Sequence, residues 1–200
     1  MLEIGTHTTL TVDRIKSPGA YLTNDNAEDV LLPNKYVSDD LQVGDEIEVF
    51  IYLDGEERIV ATTINPYIKL NDFAVLKANN VNKIGAFMDW GLEKDLFIPF
   101  REQDMKIIEG NSYLVYMYFD KQTERLVGST KLLKFLDNSN HKLQVRDKVD
   151  LIVWNSSELG TKVIINKKHL GLLYSNEVFK KLDFGQELTG FIKKTRSDDK

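Results

Sequence analysis

The three histidines of this 200-residue chain, His7, His141 and His169, are too scattered for a metal site, which needs ligands such as a His pair one helical turn apart. There is no cysteine, which excludes thiol nucleophiles, disulfides and cysteine-ligated zinc. No glycine loop followed by lysine, no dinucleotide fingerprint and no nucleophile elbow is present. Carboxylates are plentiful, yet Asp39-Asp40 and Asp198-Asp199 stand in turns, where acidic residues need no further reason. These residues give no catalytic group, no metal and no cofactor. The remaining chemistry belongs to aromatic rings and lysines, since a ring can stack on a base and an ammonium can neutralise a phosphate. Rings alternate in Phe50-Ile51-Tyr52 and again in Tyr116-Met117-Tyr118. On an outward sheet face such pairs either stack bases or pack against a neighbouring module or linker.

A repeat positions these rings. Gly19, Gly85 and Gly160 stand 66 and 75 residues apart, and Gly44, Gly110 and Gly185 keep both offsets. Gly19-Ala-Tyr-Leu22 aligns with Gly85-Ala-Phe-Met88, and Leu32-Pro33 with Ile98-Pro99. The chain is therefore a tandem array of three copies of one small module, assigned to 1–63, 67–134 and 141–200. At about 65 residues each, the copies are near the lower limit for burying a core.

Copy two reads most clearly. Asp72–Val81 and Ile84–Trp90 form two strands, Asp95–Ile98 a third, Ser112–Phe119 a fourth and Arg125–Lys131 a fifth, with a helical turn or two in Phe100–Gly110. Period-two sorting places Tyr113, Val115, Met117 and Phe119 on the core face of the fourth strand, as Ile47, Val49, Ile51 and Leu53 are in copy one. Five antiparallel strands with that helical insertion indicate an all-β, OB-type five-stranded barrel. Trp90 aligns with a core position. Copy three supplies strands at Asp147–Asn155, Thr161–Asn166 and His169–Leu173, a helix at Ser175–Leu182 and a fourth strand at Gln186–Thr195. Arg196–Lys200 resembles the next turn, so the third barrel lacks its last strand and the chain is expected to be part of a longer protein.

The linkers differ. Asn65-Pro66-Tyr67 is short and should fix copy one against copy two. Leu132–Arg146 is longer and polar around Asp137-Asn-Ser-Asn140, so copy three should be able to reorient, with Leu132, Leu133, Phe135 and Leu136 burying against copy two.

Charge is uneven although the total is −5. Residues 1–63 hold 13 acidic and 4 basic side chains, residues 64–134 hold 9 and 10, and residues 135–200 hold 9 and 12. A polyanion is repelled by the first copy and accepted by the last. The longest apolar stretch, Tyr113–Phe119, is far short of a membrane helix, and no export signal opens the chain. A cytoplasmic setting is expected, with no membrane partner.

Gly85-Ala-Phe-Met-Asp-Trp-Gly91 and Gly171-Leu-Leu-Tyr-Ser-Asn-Glu-Val178 resemble segments of the RNA-binding domain repeated in the large ribosomal protein S-one. Three such domains, the first degenerate and acidic, with Pro33 and Pro99 after the third strand, resemble the conserved virulence factor B family of bacteria. In that family a C-terminal winged-helix domain follows, which would lie beyond Lys200. The resemblance implies two aromatics and a histidine on the sheet surface. Here those slots hold Pro18, Ile84 and Leu159, then Tyr21, Phe87 and Lys162, then Pro33, Pro99 and Tyr174. Each copy thus keeps about one stacking group, which implies weak binding per module and cooperation between modules.

The expected ligand is single-stranded RNA on the second and third strands, where OB folds usually bind. Copy three contributes Lys162, Tyr174, Lys167 and Lys168, and copy two contributes Phe87 and Lys83. Copy one offers Tyr21 and Lys16 against its acidic surface and should add little. The alternative is a non-catalytic protein-interaction scaffold whose barrels have lost RNA binding.

Overall fold

The computed structural model describes residues 2–137 and 142–195. His141 and the expected turn at Arg196–Lys200 lie outside the described residues. Copy one consists of β1 (His7–Lys16), β2 (Gly19–Thr23), β3 (Asp29–Pro33), β4 (Glu46–Leu53) and β5 (Ile59–Thr62). They close into a barrel in the order β1-β2-β3-β5-β4. Closure rests on one parallel pair, Leu31 with Val60. Inward residues of alternating strands, among them Leu10, Leu22, Leu32, Val49 and Ile51, fill the core.

Copy two has β6 (Phe73–Val81), β7 (Gly85–Asp89), β8 (Leu96–Pro99), β9 (Ser112–Asp120) and β10 (Arg125–Ser129). Its sheet runs β10-β9-β6-β7-β8 and no strand pairing joins β8 to β10, so the expected closed barrel is instead an open, half-barrel sheet. The seam is bridged by other groups. Gly128 lies against the side chain of Ile98, and the Thr130 amide donates to the Glu102 carbonyl at 3.0 Å. Leu126, the counterpart of Val60, lies against Gly5 of copy one. Copy three has β11 (Lys148–Ser157), β12 (Gly160–Ile165), β13 (His169–Tyr174) and β14 (Glu187–Phe191), ordered β13-β12-β11-β14. Its four strands agree with the expectation of a barrel short of one strand.

Helical segments shrink. The helix expected over Ser175–Leu182 is a single 3-10 turn at Ser175–Glu177, whereas the helical turn or two expected in Phe100–Gly110 is present as one 3-10 turn at Phe100–Glu102. Phe179 is 95% exposed and Leu182 only partly buried, so the segment buries little apolar surface, and short isolated helices are marginal.

The outward rings of the fourth strands pack between copies. Phe50 and Tyr52 are buried against Trp90, with ring centroids 5.9 and 6.4 Å away. Trp90 therefore joins the copy-one rings to the copy-two core. Tyr116 stacks on Phe135 of the second linker at 4.1 Å, and Tyr118 lies 5.2 Å from the same ring. Leu132 is buried, Leu136 is partly buried and Leu133 remains exposed, unlike the expectation for the last. Phe73 and Leu114 of copy two share one apolar cluster with Leu132 and with Ile152 and Ile164 of copy three. A continuous apolar seam thus runs from copy two to copy three, where the polar linker suggested free reorientation.

Candidate nucleic-acid interface

The interface begins with a fault in the first strand. Each copy carries a β-bulge there, between Val12 and Arg14, Ala78 and Asn80, and Val153 and Asn155. The backbone on either side is fastened identically: Gly44, Gly110 and Gly185 each donate an amide at 2.8 Å to the carbonyl of Val12, Ala78 and Val153. These glycines have φ of +95°, +84° and +73°, a left-handed conformation that favours glycine. A bulge re-aims the extra side chain, here Asp13, Asn79 and Trp154.

The neighbouring second and third strands supply the rest. In copy one Tyr21 pairs with Leu31, and the Arg14 guanidinium lies 4.2 Å from the Tyr21 ring. Arg14 is held there by Asp29 at 2.7 Å and by Asp13. One face of the Tyr21 ring is thus taken by the protein's own cation. In copy two Phe87 pairs directly with Phe97, ring centroids 5.2 Å apart and tilted by 40°. Asn79 donates to Asp95 at 3.0 Å, over the same strands. Lys83 is exposed in the β6–β7 loop, four residues before Phe87.

In copy three Lys162 pairs with Leu172, and Tyr174 follows one step along the same face, opposite Gly160. Tyr174 is exposed. Lys162 Nζ lies 5.9 Å from the Trp154 ring centroid. Lys167 and Lys168 sit at the other end, in the β12–β13 turn, and Lys167 is bound to Asp72 of copy two at 2.6 Å. The structure therefore brings Lys162 and Tyr174 together, separates the two turn lysines from them, and makes Lys167 part of the seam. Ile164, on the Lys162 face, is buried under that seam, so the face is open from the half-buried Lys162 toward Tyr174.

Phe97 and Trp154 were not among the expected site residues. Phe97 was available from alternation, since Leu96 and Ile98 on either side are buried. Trp154 was hidden by the bulge, which breaks the period that identifies outward positions. At the second seam burial, then Glu102 and Asp120, push the Tyr118 hydroxyl up to about 12. Among the described residues no group of three or more His, Cys, Asp or Glu is arranged to hold a metal, and no helix is long and apolar enough to cross a membrane.

Residues 4–64 match the S1 domain family. The chain is 36% identical over 95 residues to the uncharacterized protein YitL of Bacillus subtilis, covering 47% of this chain and 32% of that protein. It is 27% identical over 106 residues to conserved virulence factor B of Staphylococcus saprophyticus, covering 50% of this chain and 36% of the relative. These alignments span about a third of either relative's own length. The chain is thus distantly related to virulence-factor-B-like, S1-domain-containing proteins. A crystal structure of a multidomain protein with nucleic acid binding domains from Streptococcus pneumoniae superposes with TM-score 0.55 at 19% identity, covering 98% of this chain and 71% of that one. At that identity the likeness establishes a shared fold.

Proposed function

We propose that the chain is a non-catalytic, single-stranded RNA-binding regulator whose ligand lies on the second and third strands of copies two and three, mainly copy three. The observation that carries this reading is the S1 domain match on copy one, with the same register and bulge repeated in copies two and three. Copy one contributes least, because Arg14 covers Tyr21 and the surrounding charge is acidic. Copy two offers the Phe87–Phe97 pair, with Lys83 at the loop. Copy three offers Tyr174 and Lys162 in the most basic third of the chain, with Lys168 further along and Lys167 engaged by Asp72. The lack of cysteine fits a reducing, cytoplasmic setting.

The test is a titration of fluorescently labelled mixed-sequence single-stranded RNA at two salt concentrations. Each phosphate contact on a single strand lowers the slope of log affinity against log salt by about 0.7. Two to four contacts should be read, and a chain that does not bind RNA at low salt would refute the proposal. A second reading, a protein-interaction scaffold, is favoured by one observation: Leu159, Phe179 and Phe191 of copy three are 72%, 95% and 71% exposed. An apolar protein partner would bind with little salt dependence, which separates the two.

A further inference from the structure

In each copy the bulged residue of the first strand stands beside the same second-strand position, and copy three has exchanged the chemistry of the two. Copy one has Asp13 beside Tyr21, and copy two has Asn79 beside Phe87, a polar bulge next to an aromatic strand. Copy three has Trp154 beside Lys162, an aromatic bulge next to a cationic strand. Lys162 lies over the Trp154 ring at 5.9 Å, a loose cation–π contact that a flexible lysine can leave. Trp154 is partly buried: it packs on the seam cluster with Phe73, Leu114, Leu132 and Ile164, which fixes the indole.

We infer that Trp154 is a second base-stacking residue of copy three, besides Tyr174, and Lys162 its phosphate contact, forming a nucleotide site at the seam between copies two and three. The inference rests on the RNA-binding reading and deepens it. An incoming base takes the place of the Lys162 ammonium over the indole, and the ammonium turns to the backbone phosphate of the same nucleotide. The site supplies the aromatic that the second strand of copy three lacks. Any base is accepted, because stacking is tolerant of sequence.

The two tryptophans make this testable. Trp90 is 3% exposed, with its indole nitrogen donating to the Lys94 carbonyl at 2.5 Å, so a change in emission on adding RNA reports on Trp154. A mixed-sequence RNA oligonucleotide should quench the emission of the wild-type protein along the same curve as its anisotropy signal. Trp154→Phe should abolish the quenching and keep most of the affinity. Trp154→Leu should weaken binding by roughly five- to 150-fold, the loss of one stacked base. Lys162→Gln should weaken binding of every sequence alike and reduce the salt slope by about 0.7. Thermal unfolding checks that each variant folds, and the wild-type emission decides the matter if Trp154→Leu does not. Binding seen by anisotropy with unchanged emission, or with unchanged affinity in a folded Trp154→Leu protein, overturns this site and leaves the RNA reading standing. No binding by the wild-type protein overturns both.

Discussion

A methyl group on Gly85 would sit 2.4 Å from the Ile98 carbonyl oxygen, and on Gly19 and Gly160 it would sit 2.0 and 2.1 Å from the carbonyls of Leu32 and Leu173. The second strand passes so close to the third there that only glycine fits, which is why this residue holds its register through three copies. Gly44 and Gly110 repeat for another reason, since a Cβ on either would meet nothing and only the left-handed backbone excludes it. Gly85→Ala should therefore cost on the order of 1–3 kcal/mol or more, as the backbone must strain or the strands part. Urea unfolding should show a lower midpoint with unchanged slope. The rings of the proposed RNA face obey a different test. Tyr174→Ala and Phe87→Ala should each cost about 1–3 kcal/mol of RNA binding if a base stacks there. Tyr21→Ala should leave affinity unchanged, because Arg14 already occupies that ring. Equal losses from all three would refute the ranking of the copies.

At the scale of elements, legibility followed the strength of local constraint. The fourth strands could be read because their inward residues alternate without interruption: Val49 and Ile51, and Val115 and Met117, are all buried. The first strands could be located, but the bulge that aims Trp154 carries no residue signature, and its supporting glycine lies about 31 residues further on. The helical stretches misled because Val178, Phe179 and Leu182 have helical spacing, whereas burial decides whether a short helix persists. Closure of copy two was illegible because a barrel of this kind closes through a single strand pair, Leu31 with Val60 in copy one, and no residue pattern marks whether its counterpart forms. The β4–β5 hairpin also makes a contact that sequence could not pair: Glu57 accepts from Lys94 at 3.2 Å and from Arg125 at 2.6 Å, both in copy two. Partial burial pushes the Glu57 carboxyl up, but these two cations outweigh it and hold its pKa below the ordinary value. Its contribution to stability is thus present above the unfolded pKa of about 4.3 and lost as pH falls through the lowered folded value. Glu57→Gln should reduce the loss of stability between pH 6 and pH 3, measured by urea titration at each pH. The effect should be small, since such pairs are partly solvated.

Across the whole molecule the two seams are built from the same surface, the outer face of the fourth strand, covered first by Trp90 and then by Phe135. The second seam adds Lys167 on Asp72, and Gly185 against Val75, where a Cβ would lie 2.1 Å from a methyl carbon. Gly44 and Gly110 have open space at the corresponding point, so Gly185 answers to both a turn and a neighbour. These contacts join copies two and three, which on the proposed RNA-binding reading matters because each offers few stacking groups. Two weak sites held at a set spacing bind one strand with an affinity neither has alone, and the gain vanishes when the spacing does. Ile164→Asp places a charge in the apolar seam while leaving the inward residues Val153 and Val163 of copy three in place. The variant should keep the strand content of the wild type by circular dichroism and raise the radius of gyration in small-angle scattering. Its affinity for a short oligonucleotide that spans one copy should change little. Its affinity for a longer one should fall toward that of the short. Equal affinities of the variant and the wild type for the long RNA, with the scattering change present, would show that the copies bind independently and that the seam serves stability alone.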